Sequence, residues 1–142
     1  MASAGASLVT TASPERLWKI WADPPSWPTW NPDVLSATLN GPFTVGTTGM
    51  LVTKQARHKI TIIALERGRS FTLEAKPMPV MVLRFTCRID PSESGATIGQ
   101  SVEVAGFAAT LFGKPMAEQI ARTFPPILEA LKKTAESSAA TG

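Results

Sequence analysis

The chain has 142 residues, the usual size of one domain, and such a length buries about 68–70% of its unfolded surface without covalent staples. Hydrophobic residues make up 44% and charged residues 18%, a globular balance with no apolar run long enough to cross a bilayer. One cysteine, Cys87, one histidine, His58, and no tyrosine exclude an internal disulfide and a His/Cys metal cluster, along with most metal-hydrolase, zinc-deaminase and serine-triad chemistry.

The opening MASAGASLVTT has neither a basic start nor an apolar core, so no leader peptide is read and a cytoplasmic location is the expectation. Residues 8–11 form a short β stretch. Ser13-Pro14-Glu15 then opens a helix, with Ser13 as cap, Pro14 at the first helical position and Glu15 where the dipole favours an acid. Leu17, Trp18, Ile20 and Trp21 supply its apolar face. Asp23-Pro24-Pro25 stops it, leaving room for one further helical turn at Trp27 to Trp30 before Asn31-Pro32.

From Val34 to Ala105 the pattern is β, in runs at 34–40, 49–55, 58–66, 70–76, 81–90 and 96–105. The linking turns are too short for crossover helices, so neighbours pair antiparallel. Leu83, Phe85, Cys87 and Ile89 alternate with Arg84, Thr86, Arg88 and Asp90, and the neighbouring runs alternate likewise, giving one apolar and one wet face. The apolar face needs a cover. Met116, Ile120, Phe124, Ile127, Leu128 and Leu131 recur at helical spacing and predict one amphipathic helix over 115–136, kinked at Pro125-Pro126. The whole, 1–142, is a single domain with its core at about 7–136 and a flexible tail at 137–142.

Net charge is +3, from 14 basic and 11 acidic residues. The excess concentrates in 54–88, where Lys54, Arg57, Lys59, Arg67, Arg69, Lys76, Arg84 and Arg88 face only Glu66 and Glu74. Such a stretch is either the solvated outer face of the sheet or a surface for an anionic partner. It lacks the interleaved aromatics on which single-stranded nucleic acid stacks, so no nucleic-acid role is expected. No GxGxxG or P-loop occurs, and neither cofactor nor metal is expected.

Several segments resemble, in order, the SRPBCC or START-like superfamily, in its polyketide cyclase/dehydrase branch. They are Ser13-Pro14-Glu15-Arg16-Leu17-Trp18, Trp27-Pro28-Thr29-Trp30-Asn31-Pro32, Gly41-Pro42-Phe43 with Val45-Gly46-Thr47, and Glu66-Arg67-Gly68-Arg69-Ser70-Phe71. Leu83-Arg84-Phe85, Gly95-Ala96-Thr97 and Leu128-Glu129-Ala130-Leu131-Lys132 complete the series, which extends over about 7–135. The resemblance implies an α+β helix-grip (START-like) fold: a seven-stranded antiparallel sheet wrapped around a long C-terminal helix, with two short helices after the first strand. It also implies a cavity between sheet and helix that takes lipids, sterols, hormones or polyketides. A minority of such proteins cyclise or dehydrate a poly-β-ketone.

The expected ligand is therefore an apolar or aromatic small molecule, lipid- or polyketide-like. Its expected lining is Trp30, Phe71, Leu73, Phe85, Gln100, Val102, Met116, Ile120 and Phe124. Trp18 and Trp21 read as core, and Trp27 and Trp30 as either packing or contacts at the cavity mouth. Gln100 is the one polar residue on an otherwise apolar strand face, where an unpaired amide is costly. Cys87 reads as a small core residue. His58 lies near a hairpin tip between Arg57 and Lys59, a place where a histidine is ordinarily wet, although neighbouring positive charge would lower its proton affinity. Gln100 and His58 are the candidates for catalysis, with no Asp or Glu placed on the inner face. A cofactor-free polyketide cyclase or dehydratase and a protein-interaction module using the basic face are the alternatives to a binding protein. No stable membrane insertion is expected, and the chain fits a monomer or homodimer.

Overall fold

The computed structural model describes residues 2–106 and 109–141. Ser13 caps the first helix as its sequence requires, its side chain accepting from the Arg16 amide at 3.2 Å. The helix, α1, covers Pro14–Trp21, and Pro24–Thr29 follow as a 3₁₀ turn. The strands are β1 (Ala2–Thr10), β2 (Val34–Leu39), β3 (Thr48–Thr53), β4 (Arg57–Glu66), β5 (Ser70–Met78), β6 (Met81–Ser92) and β7 (Gly95–Ala105). They form one seven-stranded sheet in the order β1-β7-β6-β5-β4-β3-β2, antiparallel at every pairing. The α+β helix-grip arrangement implied by the resemblance is the one observed.

The first strand is longer than the 8–11 stretch read from the sequence. It pairs with β7 from Ala2 opposite Val104 to Thr10 opposite Ala96. Ala2, Ala4, Ala6 and Leu8 pack against the core while Ser3, Ser7 and Val9 stay exposed. Alanine, serine and glycine have weak strand preference, so the pairing with β7 makes this strand rather than local propensity.

The C-terminal helix departs more. In place of one kinked helix over 115–136 there are two, α2 (Ala109–Ala121) and α3 (Phe124–Thr141). Pro125 and Pro126 cannot donate to the preceding turn, so the chain stops and restarts instead of bending. The Arg122 amide still reaches Glu118 O at 3.2 Å, and Thr123 closes α2 with Oγ1 on Ile120 O at 2.7 Å. Both prolines then lie in the first turn of α3, where missing donors cost nothing. α2 begins ahead of 115 and takes Pro115 into its interior. Residues 137–141, read as a tail, continue α3, in keeping with the high helix propensity of alanine.

The two helices pack against β1 and β7, at one side of the sheet, and α1 packs on α3 and β6. Gly113 allows close approach there: a Cβ on it would lie 3.2 Å from Ala2 Cβ. The middle strands are reached instead by aromatic rings. Phe71 of β5, 1% exposed, lies 5.1 Å from Phe43, 6.1 Å from Trp18, 5.9 Å from Trp21 and 6.2 Å from Trp27, ring centre to ring centre.

On the outer face the basic stretch is less free than its composition suggests. Arg84 is held between Glu74 at 3.1 Å and Glu103 at 2.8 Å, and Arg88 meets Asp90 at 3.1 Å. Glu103 and Asp90 lie outside the 54–88 window: Glu103 reaches Arg84 through the β6–β7 pairing, and Asp90 stands two residues beyond Arg88 on β6.

Two predictions follow from the packing. Phe71→Ala should lower stability by about 3–5 kcal/mol, read by chemical denaturation. The second concerns Glu136, which accepts from Thr10 Oγ1 at 2.7 Å, Lys132 Nζ at 2.9 Å and the Thr11 amide at 3.2 Å. These bonds, that from Thr10 foremost, hold its carboxyl down at about 2, below the usual 4.5. A lowered acid pKa gives stability that is present above the unfolded value and lost as pH falls toward the folded one. Glu136→Gln should therefore melt below wild type at neutral pH, with the gap closing as pH drops through that window.

Candidate functional site

Between the middle strands and the helices lies a cavity of about 590 Å³, within the 300–1,000 Å³ range of small-molecule sites. Its sheet wall comes from Leu51 and Thr53 of β3, His58 of β4, Phe71 and Leu73 of β5, Met81, Leu83, Phe85 and Cys87 of β6, and Gln100 of β7. Trp21, Trp27, Trp30, Asn31, Asp33 and Val34 form one end. Met116, Gln119, Ile120, Thr123, Phe124 and Ile127, on both sides of the break between α2 and α3, form the cover.

Several polar groups on this wall are occupied locally. Asn31 Oδ1 accepts from the Asp33 amide at 2.9 Å, Thr53 Oγ1 from the Gln55 and Ala56 amides at 3.3 and 3.2 Å, and Trp27 Nε1 donates to Trp21 O at 3.1 Å. Two atoms stand apart. Trp30 Nε1 and His58 Nδ1 are buried with no hydrogen-bond partner among the described residues. Arg16 Nε shares that condition but is not on the cavity wall.

His58 differs from the sequence expectation in place and in cause. It faces the cavity with its ring 6.5 Å from Phe85, not the solvent of a hairpin tip. Its pKa lies below the ordinary 6.5 because burial disfavours the charged ring, while Asp33 pulls the other way; the flanking Arg57 and Lys59 are not the cause. Asp33 itself borders the cavity, which corrects the expectation that no carboxylate faces inward. Burial pushes the Cys87 thiol up, away from thiolate chemistry. Among the described residues no three His, Cys, Asp or Glu side chains gather as a metal site.

Of the residues expected to line the cavity, Trp30, Phe71, Leu73, Phe85, Gln100, Met116, Ile120 and Phe124 all border it. Val102 does not. It points inward, but it is 0% exposed, lying between Phe85 and Ala4 on the neighbouring strands at the side where α2 covers β1 and β7. Its face was legible and its depth was not. Sequence reasoning missed Asp33, which stands just before β2 where no alternation applies, and it left Trp21 and Cys87 as core without placing them on a wall. His58 did carry a signal, since it is in phase with the buried Ile60 and Ile62.

The sequence profile of a family described as polyketide cyclase / dehydrase and lipid transport matches residues 1–136. No curated protein matches this sequence. Among solved structures, a START superfamily protein from Mycobacterium smegmatis is similar at TM-score 0.77 and 14% identity, over 96% of this chain and 99% of that one. XoxI from Bacillus cereus is similar at TM-score 0.72 and 19% identity, over 95% and 96%. Norcoclaurine synthase from Thalictrum flavum, solved with dopamine and hydroxybenzaldehyde, gives TM-score 0.68 and 14% identity, over 95% and 86%. At these identities the likeness is one of fold. No helix among the described residues is long and apolar enough to cross a membrane.

The buried histidine sets a measurable pH dependence. With a folded pKa below 6.5, the unfolded chain takes up the proton first, so His58 favours folding fully above 6.5 and progressively less as pH falls below it. The single imidazole signal in a proton NMR titration should have its midpoint below 6.5 in the folded protein, and should move back toward that value in denaturant. A midpoint at or above 6.5 in the folded state would contradict the buried placement.

Proposed function

The chain belongs to the polyketide cyclase / dehydrase and lipid transport family, and we propose that it binds an apolar or aromatic small molecule, lipid- or polyketide-like, in the cavity between sheet and helices. The cavity itself carries the reading. Protein interiors pack to crystal-like density, and a void of about 590 Å³ greatly exceeds the roughly 30 Å³ share of one water. Its wall is dominated by aromatic, aliphatic and thioether groups, which gain by removing an apolar ligand from water.

A second reading is favoured by His58 with Asp33 on the same cavity. A neutral imidazole held near physiological pH is suited to take a proton from an acidic carbon between two carbonyls, as cyclisation or dehydration of a poly-β-ketone requires. Conversion of such a substrate, lost in His58→Leu, would establish turnover. Recovery of the ligand unchanged leaves the binding reading alone.

The test of the first reading is native mass spectrometry of the purified protein, with any bound molecule released and identified. The chain has four tryptophans and no tyrosine, and Trp21, Trp27 and Trp30 border the cavity, so ligand uptake should also change the intrinsic fluorescence. Met116→Trp, which fills space from the helix side, should weaken uptake of an apolar dye such as Nile red at least tenfold and leave the melting temperature unchanged or raised. Undiminished uptake would place binding elsewhere.

A further inference from the structure

The unpartnered Trp30 Nε1 and His58 Nδ1 belong to a polar corner of the cavity. β3 and β4 put Leu51 opposite His58, β2 and β3 put Val34 opposite Thr53, and the Lys54 amide donates to Asp33 O at 3.0 Å. Asp33, Thr53, Gln55 and His58 are thereby gathered where these three strands meet, and the 3₁₀ turn packed on β2 brings up Trp30. Much of the rest of the wall is apolar, with Leu73, Leu83, Ile120 and Phe124, while Gln100, Gln119 and Thr123 also border it.

We infer that this corner recognises the oxygen end of an uncharged, hydroxyl-bearing ligand, a phenol or enol on an apolar body: Trp30 Nε1–H donates to ligand oxygen, and neutral His58 accepts the ligand hydroxyl at Nδ1. The inference deepens the binding reading and rests on it. An indole nitrogen only donates, so the ligand must supply an acceptor. Imidazole with its proton on Nε2 presents a lone pair at Nδ1, and burial keeps the ring neutral. A carboxylate ligand would meet the Asp33 carboxylate and find no resident cation on the cavity wall among the described residues. An ammonium ligand would suit Asp33 but leave the Trp30 donor unanswered. Asp33 and Cys87 are the other titratable side chains on the wall; Arg57 and Lys59 flank His58 in β4 but are exposed, and β5 and the helices add none to it.

The test compares 2-naphthol, 2-methoxynaphthalene and 2-naphthoate by calorimetric titration, with Nile red uptake as the control for an open cavity. 2-Naphthol should bind about tenfold more tightly than its methyl ether, which keeps the acceptor but lacks the donor for His58. That advantage should vanish in His58→Leu, while the ether is unaffected. Trp30→Phe should weaken both by about tenfold. Lowering the pH through the folded pKa of His58, which lies below the ordinary 6.5, should weaken 2-naphthol and spare the ether, because imidazolium has no acceptor. Equal binding of the two in the wild-type protein, tighter 2-naphthol binding at low pH, or preference for 2-naphthoate overturns the inference. Uptake of Nile red with no naphthalene binding overturns the polar corner alone. Loss of Nile red uptake as well removes the binding reading beneath it.

Discussion

Phe71 is the point at which the first third of the chain is fastened to the sheet. Its ring, on β5, meets Trp18 and Trp21 from α1, Trp27 from the 3₁₀ turn and Phe43 from the β2–β3 connection. Trp27 lies nearly parallel at 23°, and the others stand edge-on between 71° and 82°, the arrangements that ring quadrupoles favour. Each such pair is worth about 0.5–1.5 kcal/mol beyond the area it buries. The gain is local to the middle of the sheet, whereas α2 and α3 rest on β1 and β7. The sheet is thus covered by two groups of elements, which meet where α1 packs on α3, and the cavity lies between them and the middle strands.

The break between α2 and α3 belongs to the same geometry. An uninterrupted helix through 109–141 would carry its apolar stripe in one line along the sheet. Pro125-Pro126 prevents that, and Thr123 and Phe124 at the junction stand on the cavity wall beside Ile120 and Ile127. The proline pair therefore shapes the cover through the backbone, by where it forbids hydrogen bonds, without offering the ligand a functional group of its own.

Much of this was legible from patterns that local chemistry imposes. Period-two alternation assigned the faces of β5, β6 and β7, and Ser13-Pro14-Glu15 marked the start of α1. What escaped depends on partners distant in sequence. β1 is written in alanine, serine and glycine and exists as a strand because β7 pairs with it. The apolar spacing Ile120, Phe124, Ile127 continues through the helix break because side-chain periodicity does not register a backbone interruption. Glu103 reaches Arg84 only across the β6–β7 pairing, so a window of sequence overcounted the free positive charge. The placement of His58 was in the alternation with Ile60 and Ile62, and its charged neighbours, which point the other way, concealed it.

That concealment bears on what the site can do. The outer face pairs Arg84 and Arg88 with acids, which leaves the charge there partly matched and screened by solvent. The inner face has the opposite character, with a histidine, a carboxylate and an indole donor set into an apolar wall. A hydrogen bond made in that low-dielectric space is stronger than the same bond in water, and a donor or acceptor left unmet is correspondingly costly. Apolar burial can hold a wide range of molecules in such a cavity, but it distinguishes poorly among them. Discrimination falls to the few polar atoms without partners, and these sit where the aromatic anchor of α1 and the 3₁₀ turn holds one end of the cavity in place.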